Sequence, residues 1–188
     1  MPLNFNTNSA SGSSHGYVRY MASTASWVLD GENLDFTQAV FDLENIKTGW
    51  CFIDAGVAPE WAMDASLEEP AARPSGDGWK RGFKVDIYSK AMFGDETSVR
   101  EWGTNSTGAT MGIQALYAEY EEANKGSGKL PVVEFNGGTP TKVGKGSTNV
   151  PKLKILKFID TPAELKGGAS APVAAAPTSK PDIIEDEF

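Results

Sequence analysis

One cysteine and one histidine among 188 residues leave little material for metal or nucleophile chemistry. Cys51 by itself excludes an internal disulfide framework, and a single His with a single Cys gives no cluster at zinc-ligand spacing. His15 lies in a Ser/Gly stretch that would not hold a base in position, and Cys51 has no ordered His to activate it, so no catalytic nucleophile is expected. The closest approach to a phosphate loop, Gly126-Ser127-Gly128-Lys129, has Leu130 where the Mg²⁺-binding Ser or Thr is needed and no Gly five residues before Gly128. The paired carboxylates Glu68-Glu69 and Asp95-Glu96 sit in turn-like, exposed segments; a metal-dependent nuclease with carboxylates converging from distant positions is the enzyme reading left open. No apolar run approaches the roughly 20 residues of a membrane span, and the polar start lacks the charged and apolar regions of a signal peptide. A soluble, cytoplasmic, non-catalytic protein without a cofactor is therefore expected.

What the sequence does contain is turn residues and unevenly placed charge. Its 20 Gly and 11 Pro fall between short apolar runs, which favours one β-rich domain over a helical bundle. The net charge is −8, but between Asp30 and Glu69 the acids far outnumber the single Lys47, whereas Lys142, Lys145, Lys152, Lys154 and Lys157 lie in a stretch with no acid. The segment from Arg73 to Lys90 is also net positive. An acidic chain with basic strands presents a positive groove to a polyanion, which follows the local potential rather than the total charge; solvated faces are the plain alternative.

Trp79 to Lys90 is the central stretch. With period two, Phe83, Val85 and Ile87 share a buried face, and Lys80, Lys84, Asp86 and Tyr88 share an open one. Residues 16–20 form a short edge strand, and 36–42 and 49–54 two further strands, the second with Cys51 and Ile53 inward and Trp50 and Phe52 outward. Residues 55–78, rich in Pro, Ala, Glu and Gly, read as a long loop anchored by Trp61 and Met63. After the central strand come a turn at Gly94-Asp95-Glu96, a return strand at 98–102, and a helix over 107–124 marked by Ile113, Leu116, Tyr117 and Tyr120 at spacings of three and four. Strands at 131–135 and 151–159 follow, joined by a Gly- and Lys-rich loop. This order predicts a mainly β protein with an OB-fold, a five-stranded partly open barrel with one helix between strands 3 and 4. It occupies residues 16–166 after a flexible 1–15 segment.

From Gly167 the composition changes to Gly, Ala, Ser, Pro and Thr, the signature of a disordered linker over 167–180. The chain ends in Asp182, Ile183, Ile184, Glu185, Asp186, Glu187 and Phe188, an acidic tail with embedded apolar groups. A flexible linker closed by acidic residues and a terminal Phe resembles the tail of the single-stranded DNA-binding proteins of bacteria and of T7-like phages, without the Ile-Pro-Phe ending of the bacterial family. The stretches Trp79 to Val85 and Ser147-Thr148-Asn149-Val150-Pro151 are also similar to phage proteins of this class. The resemblance implies a replication or recombination protein that coats single strands through an OB-fold and recruits partners with residues 181–188. The residues point the same way. Lys80, Arg81, Lys84, Arg100, Lys142, Lys145, Lys152 and Lys154 offer cations for phosphates, and Trp50, Phe52, Tyr88 and Trp102 offer rings for bases, worth about 1–3 kcal/mol each. Trp61 and Trp79 are assigned to the core. Self-association into a homodimer is left open, and a non-catalytic accessory factor whose barrel binds protein is the alternative.

Overall fold

The computed structural model describes residues 16–166. The segments read as a flexible N-terminus, a linker and an acidic tail lie outside the described residues.

A three-stranded antiparallel meander comes first: β1 (Val18–Met21), β2 (Ser26–Leu29) and β3 (Glu32–Leu34). Only β1 is expected from the sequence. The β2–β3 turn is Asp30-Gly31 with φ of 51° and 89°, the left-handed pair that matches the twist of a two-residue hairpin. It places Trp27 at 1% exposure in the core, stacked on Phe36 at 4.4 Å.

The larger, seven-stranded sheet contains β4 (Gln38–Phe41), β5 (Lys47–Phe52), β6 (Glu60–Met63), β7 (Lys80–Tyr88), β8 (Val99–Thr104), β9 (Lys129–Val143) and β10 (Gly146–Asp160), all paired antiparallel. Three helices complete the described fold: α1 (Lys90–Phe93), α2 (Thr107–Asn124) and α3 (Ala163–Lys166). The strand β7 is the hub. One of its edges pairs with β8, and the other pairs with β4 near Tyr88 and with β5 near Lys80, so β4 and β5 are two pieces of a single edge. Beyond β4 lie β9 and β10, and beyond β5 lies β6. The meander spans the remaining gap: the Glu101 N–H donates to the Gly16 carbonyl at 3.0 Å, and the Asn149 N–H donates to the Ala22 carbonyl at 3.1 Å. Strand β1 therefore reaches β8 at one end and β10 at the other.

Several expectations change. The 55–78 loop contains β6, an edge strand paired only with β5, whose half-buried residues show no alternation to reveal it. The loop expected between the last two strands is instead the far half of a β9–β10 hairpin that stays paired up to Val143 and Gly146, across a turn begun by Gly144 with φ 58°. Its tip, residues 142–147, is exposed on both strands and so shows no buried face. Ile53 lies beyond the end of β5 and is 49% exposed rather than core.

The core is an aromatic cluster. Trp102, Trp27, Phe41, Phe83 and Phe36 are all nearly inaccessible, and Phe135 packs against them. Helix α2 contributes Ala109, Ile113, Leu116 and Tyr120, the i, i+4, i+7, i+11 stripe of an amphipathic helix. It lies close on the hairpin because Gly108 and Gly112 carry no side chain: a Cβ on Gly112 would be 2.5 Å from Pro151 Cγ. A smaller cluster of Val40, Val99, Leu130, Val132 and Leu165 forms on the other face, under α3.

Candidate nucleic-acid interface

The period-two reading of β7 holds: Phe83, Val85 and Ile87 are buried, and Lys80, Lys84, Asp86 and Tyr88 face the other way. Register then redistributes the expected site. Trp50 is the cross-strand partner of Arg81, and Cys51 that of Lys80. Partners in an antiparallel ladder share a face, so Trp50 and Phe52 belong with Arg81 and Phe83, on the side opposite Lys80, Lys84 and Tyr88. The two aromatics and the central lysines do not form one surface.

On the Trp50 side, Phe52 meets Trp79 with ring centroids 5.8 Å apart, both half-buried, so Trp79 caps a strand end instead of entering the core. The Trp50 Nε1–H donates to the Ala71 carbonyl at 2.9 Å, and the guanidinium carbons of Arg73 and Arg81 lie 5.6 and 5.4 Å from its ring centroid, a cation–π arrangement. Arg81 is not free for phosphate. Both its terminal nitrogens donate to Asp64, whose side chain is 2% exposed. Hydrogen bonds from Arg81, then Thr48 and the Ala71 N–H, hold the Asp64 carboxyl well below the usual carboxylate range.

On the opposite face, Lys84 Nζ is 3.2 Å from Glu101 Oε1 and 5.1 Å from the Trp61 ring centroid, with 17% of its side chain exposed. Its charge is compensated by a nearly buried carboxylate. Trp61 is half-buried over this pair rather than core. Tyr88 lies in the small cluster under α3, its hydroxyl 3.5 Å from Glu164, and Glu164 also pairs with Lys90 at 2.9 Å. Lys80 is exposed and makes no ion pair among the described residues.

Trp102 is a correction: at 0% exposure, with Phe83 at 4.7 Å and Trp27 at 4.8 Å, it is the centre of the core and no base reaches it. Its side chain lies on the buried face because it is the register partner of Val85. Arg100 is half-buried with its Nε unpartnered among the described residues, packed where Gly16 crosses β8. Lys142 and Lys145 are exposed on the hairpin arm, and Lys152 and Lys154 are exposed on β10, where Leu153 and Ile155 turn inward. None of these four makes an ion pair among the described residues.

Sequence reasoning missed Arg73 and Asp64. Both lie in the stretch read as a loop, and only the fold of that stretch over Trp50 brings them to the strand ends. Burial, with Lys84 opposing it, pushes the Cys51 thiol up to about 11, so it stays protonated at neutral pH. Among the described residues no group of three or more His, Cys, Asp or Glu could hold a metal ion, and no helix is long and apolar enough to cross a membrane. The chain matches no family model, no curated protein and no solved structure.

Proposed function

We propose that this protein binds single-stranded DNA without sequence preference, in replication or recombination, through an OB-fold. Support for the fold comes from connectivity: β4 with β5 serve as the first strand, β7 and β8 as the second and third, α2 follows, and β9 and β10 are the fourth and fifth. The first strand then pairs with both the second and the fourth. The barrel stays partly open between β8 and β10, where β1 bridges.

The observation that carries the reading is a set of exposed cations outside any ion pair. Lys80, Lys142, Lys145, Lys152 and Lys154 are exposed and make no ion pair among the described residues, in a chain whose net charge is −8. Exposed lysines outside ion pairs can neutralise phosphates, and that engagement releases the counterions condensed on the nucleic acid. Residues 181–188 serve as a partner-recruiting tail, with Ile183, Ile184 and Phe188 as apolar anchors and the carboxylates of Asp182, Glu185, Asp186 and Glu187 as steering charge.

Titration with oligo(dT) across a range of salt concentrations tests this reading. The wild type binds, with affinity falling steeply as salt rises. Lys152→Ala with Lys154→Ala weakens binding equally for all sequences and reduces the salt slope by about 0.7 per lost contact. Absence of binding at low salt refutes it.

A second reading, a protein-binding accessory factor, draws on an apolar cleft of about 280 Å³ between β5, β7 and α2, lined in part by Ile46, Leu67, Phe83, Ile113 and Tyr117. Binding there would depend weakly on salt, which separates the two readings.

A further inference from the structure

The segment from Asp64 to Arg73 is pinned at Ala71 from two sides. The Ala71 N–H donates to Asp64 Oδ1 at 2.8 Å, and its carbonyl accepts the Trp50 Nε1–H at 2.9 Å. Two residues later, the Arg73 guanidinium lies over the Trp50 ring at 5.6 Å. Arg81 lies over the same ring at 5.4 Å, but Asp64 takes both its terminal nitrogens. Arg73 is exposed and makes no ion pair among the described residues. Two guanidinium groups thus share one indole, one with its charge compensated and one without.

We propose that Arg73, resting on the Trp50 indole, forms a phosphate subsite for the strand, with Asp64 as the positioning residue that withholds Arg81 from it. This rests on the single-stranded DNA reading above. A guanidinium paired through two nitrogens with a nearly buried carboxylate carries little net charge outward, so it releases no counterion when a polyanion arrives. Arg81 still serves as a planar cation that fixes the indole. Arg73 keeps its forked donors for a phosphate while its planar face rests on the indole. The two hydrogen bonds at Ala71 fix the chain two residues before Arg73, whose position would otherwise be left to a long loop.

The test uses the full chain titrated with oligo(dT) over a salt range. Arg73→Ala is expected to reduce the slope of log K against log salt by about 0.7, and Arg73→Lys to restore it. Trp50→Phe, which keeps a ring under Arg73, is expected to keep the slope. Asp64→Asn should raise the slope by about 0.7, because Arg81 becomes available. The neutral pair Asp64→Asn with Arg81→Gln should keep the wild-type slope, and it carries the test of Asp64 where the single variant does not fold. Wild-type slopes in Arg73→Ala overturn the subsite, and a reduced slope in the neutral pair overturns the withholding role of Asp64. If the wild type itself does not bind, the single-stranded DNA reading fails and not this assignment alone.

Discussion

Replacing Trp102 tests whether its ring belongs to the core or to a ligand surface. The side chain is 0% exposed and meets Phe83 at 4.7 Å, Trp27 at 4.8 Å and Phe41 at 6.2 Å. Truncation to alanine removes the hub of that cluster and leaves a cavity, for about 3–5 kcal/mol. A domain of this size has about 5–15 kcal/mol in all, so the loss is a large share of its stability. Phenylalanine should behave differently. The Trp102 Nε1–H is buried without a partner among the described residues, a feature that costs about 1–3 kcal/mol. Trp102→Phe gives up part of the ring but removes that unpaired donor, so the two effects largely offset and the net change stays within about 1.5 kcal/mol. Urea unfolding followed by circular dichroism measures both variants, and oligo(dT) titration of folded Trp102→Phe should return the wild-type affinity. A Trp102→Ala protein with unchanged unfolding midpoint but lost DNA binding would refute the reasoning, since it would place the ring at the ligand.

Lys84→Met leaves the nearly buried Glu101 without its partner and is expected to destabilise by about 3 kcal/mol while keeping the salt slope for DNA; a reduced slope with intact stability would return Lys84 to the phosphate surface. Because the folded state depresses the Asp64 carboxyl, its contribution to stability is present above the ordinary aspartate range near pH 4 and is lost as pH falls through the lower folded value. Urea midpoints measured between pH 6 and the acid range, about pH 3, should therefore fall more in the wild type than in Asp64→Asn, and parallel curves would count against the Arg81 pairing. Gly112→Ala gains about 1 kcal/mol of helix propensity but drives a Cβ into Pro151, so a net loss of about 1–2 kcal/mol is expected; a raised melting temperature would mean that α2 does not lie on β10 as closely as described.

Where a pattern is local, the sequence already contains it. Period two put Phe83, Val85 and Ile87 inward on β7, and the three-and-four spacing of Ile113, Leu116 and Tyr120 marked α2 from Thr107 to Asn124, because burial on one face imposes the period of the backbone. The Asp30-Gly31 turn is equally local, yet the strands of the meander around it are only three or four residues long, too short for period two to mark them. Which residues share a surface is a different matter, since register is a relation between strands and no single strand encodes it. Alternation left the outer aromatics of β5 and the outer lysines of β7 as one expected surface; the pairing of Trp50 with Arg81 separates them. Charge compensation is likewise decided between segments distant in sequence. Arg81 and Lys84 are cations in sequence, but Asp64 and Glu101 compensate them across 17 positions in each case, whereas Lys152 and Lys154 stand outside any ion pair among the described residues. Composition thus determined that there were cations and rings to offer, and tertiary contacts decided which of them are still on offer.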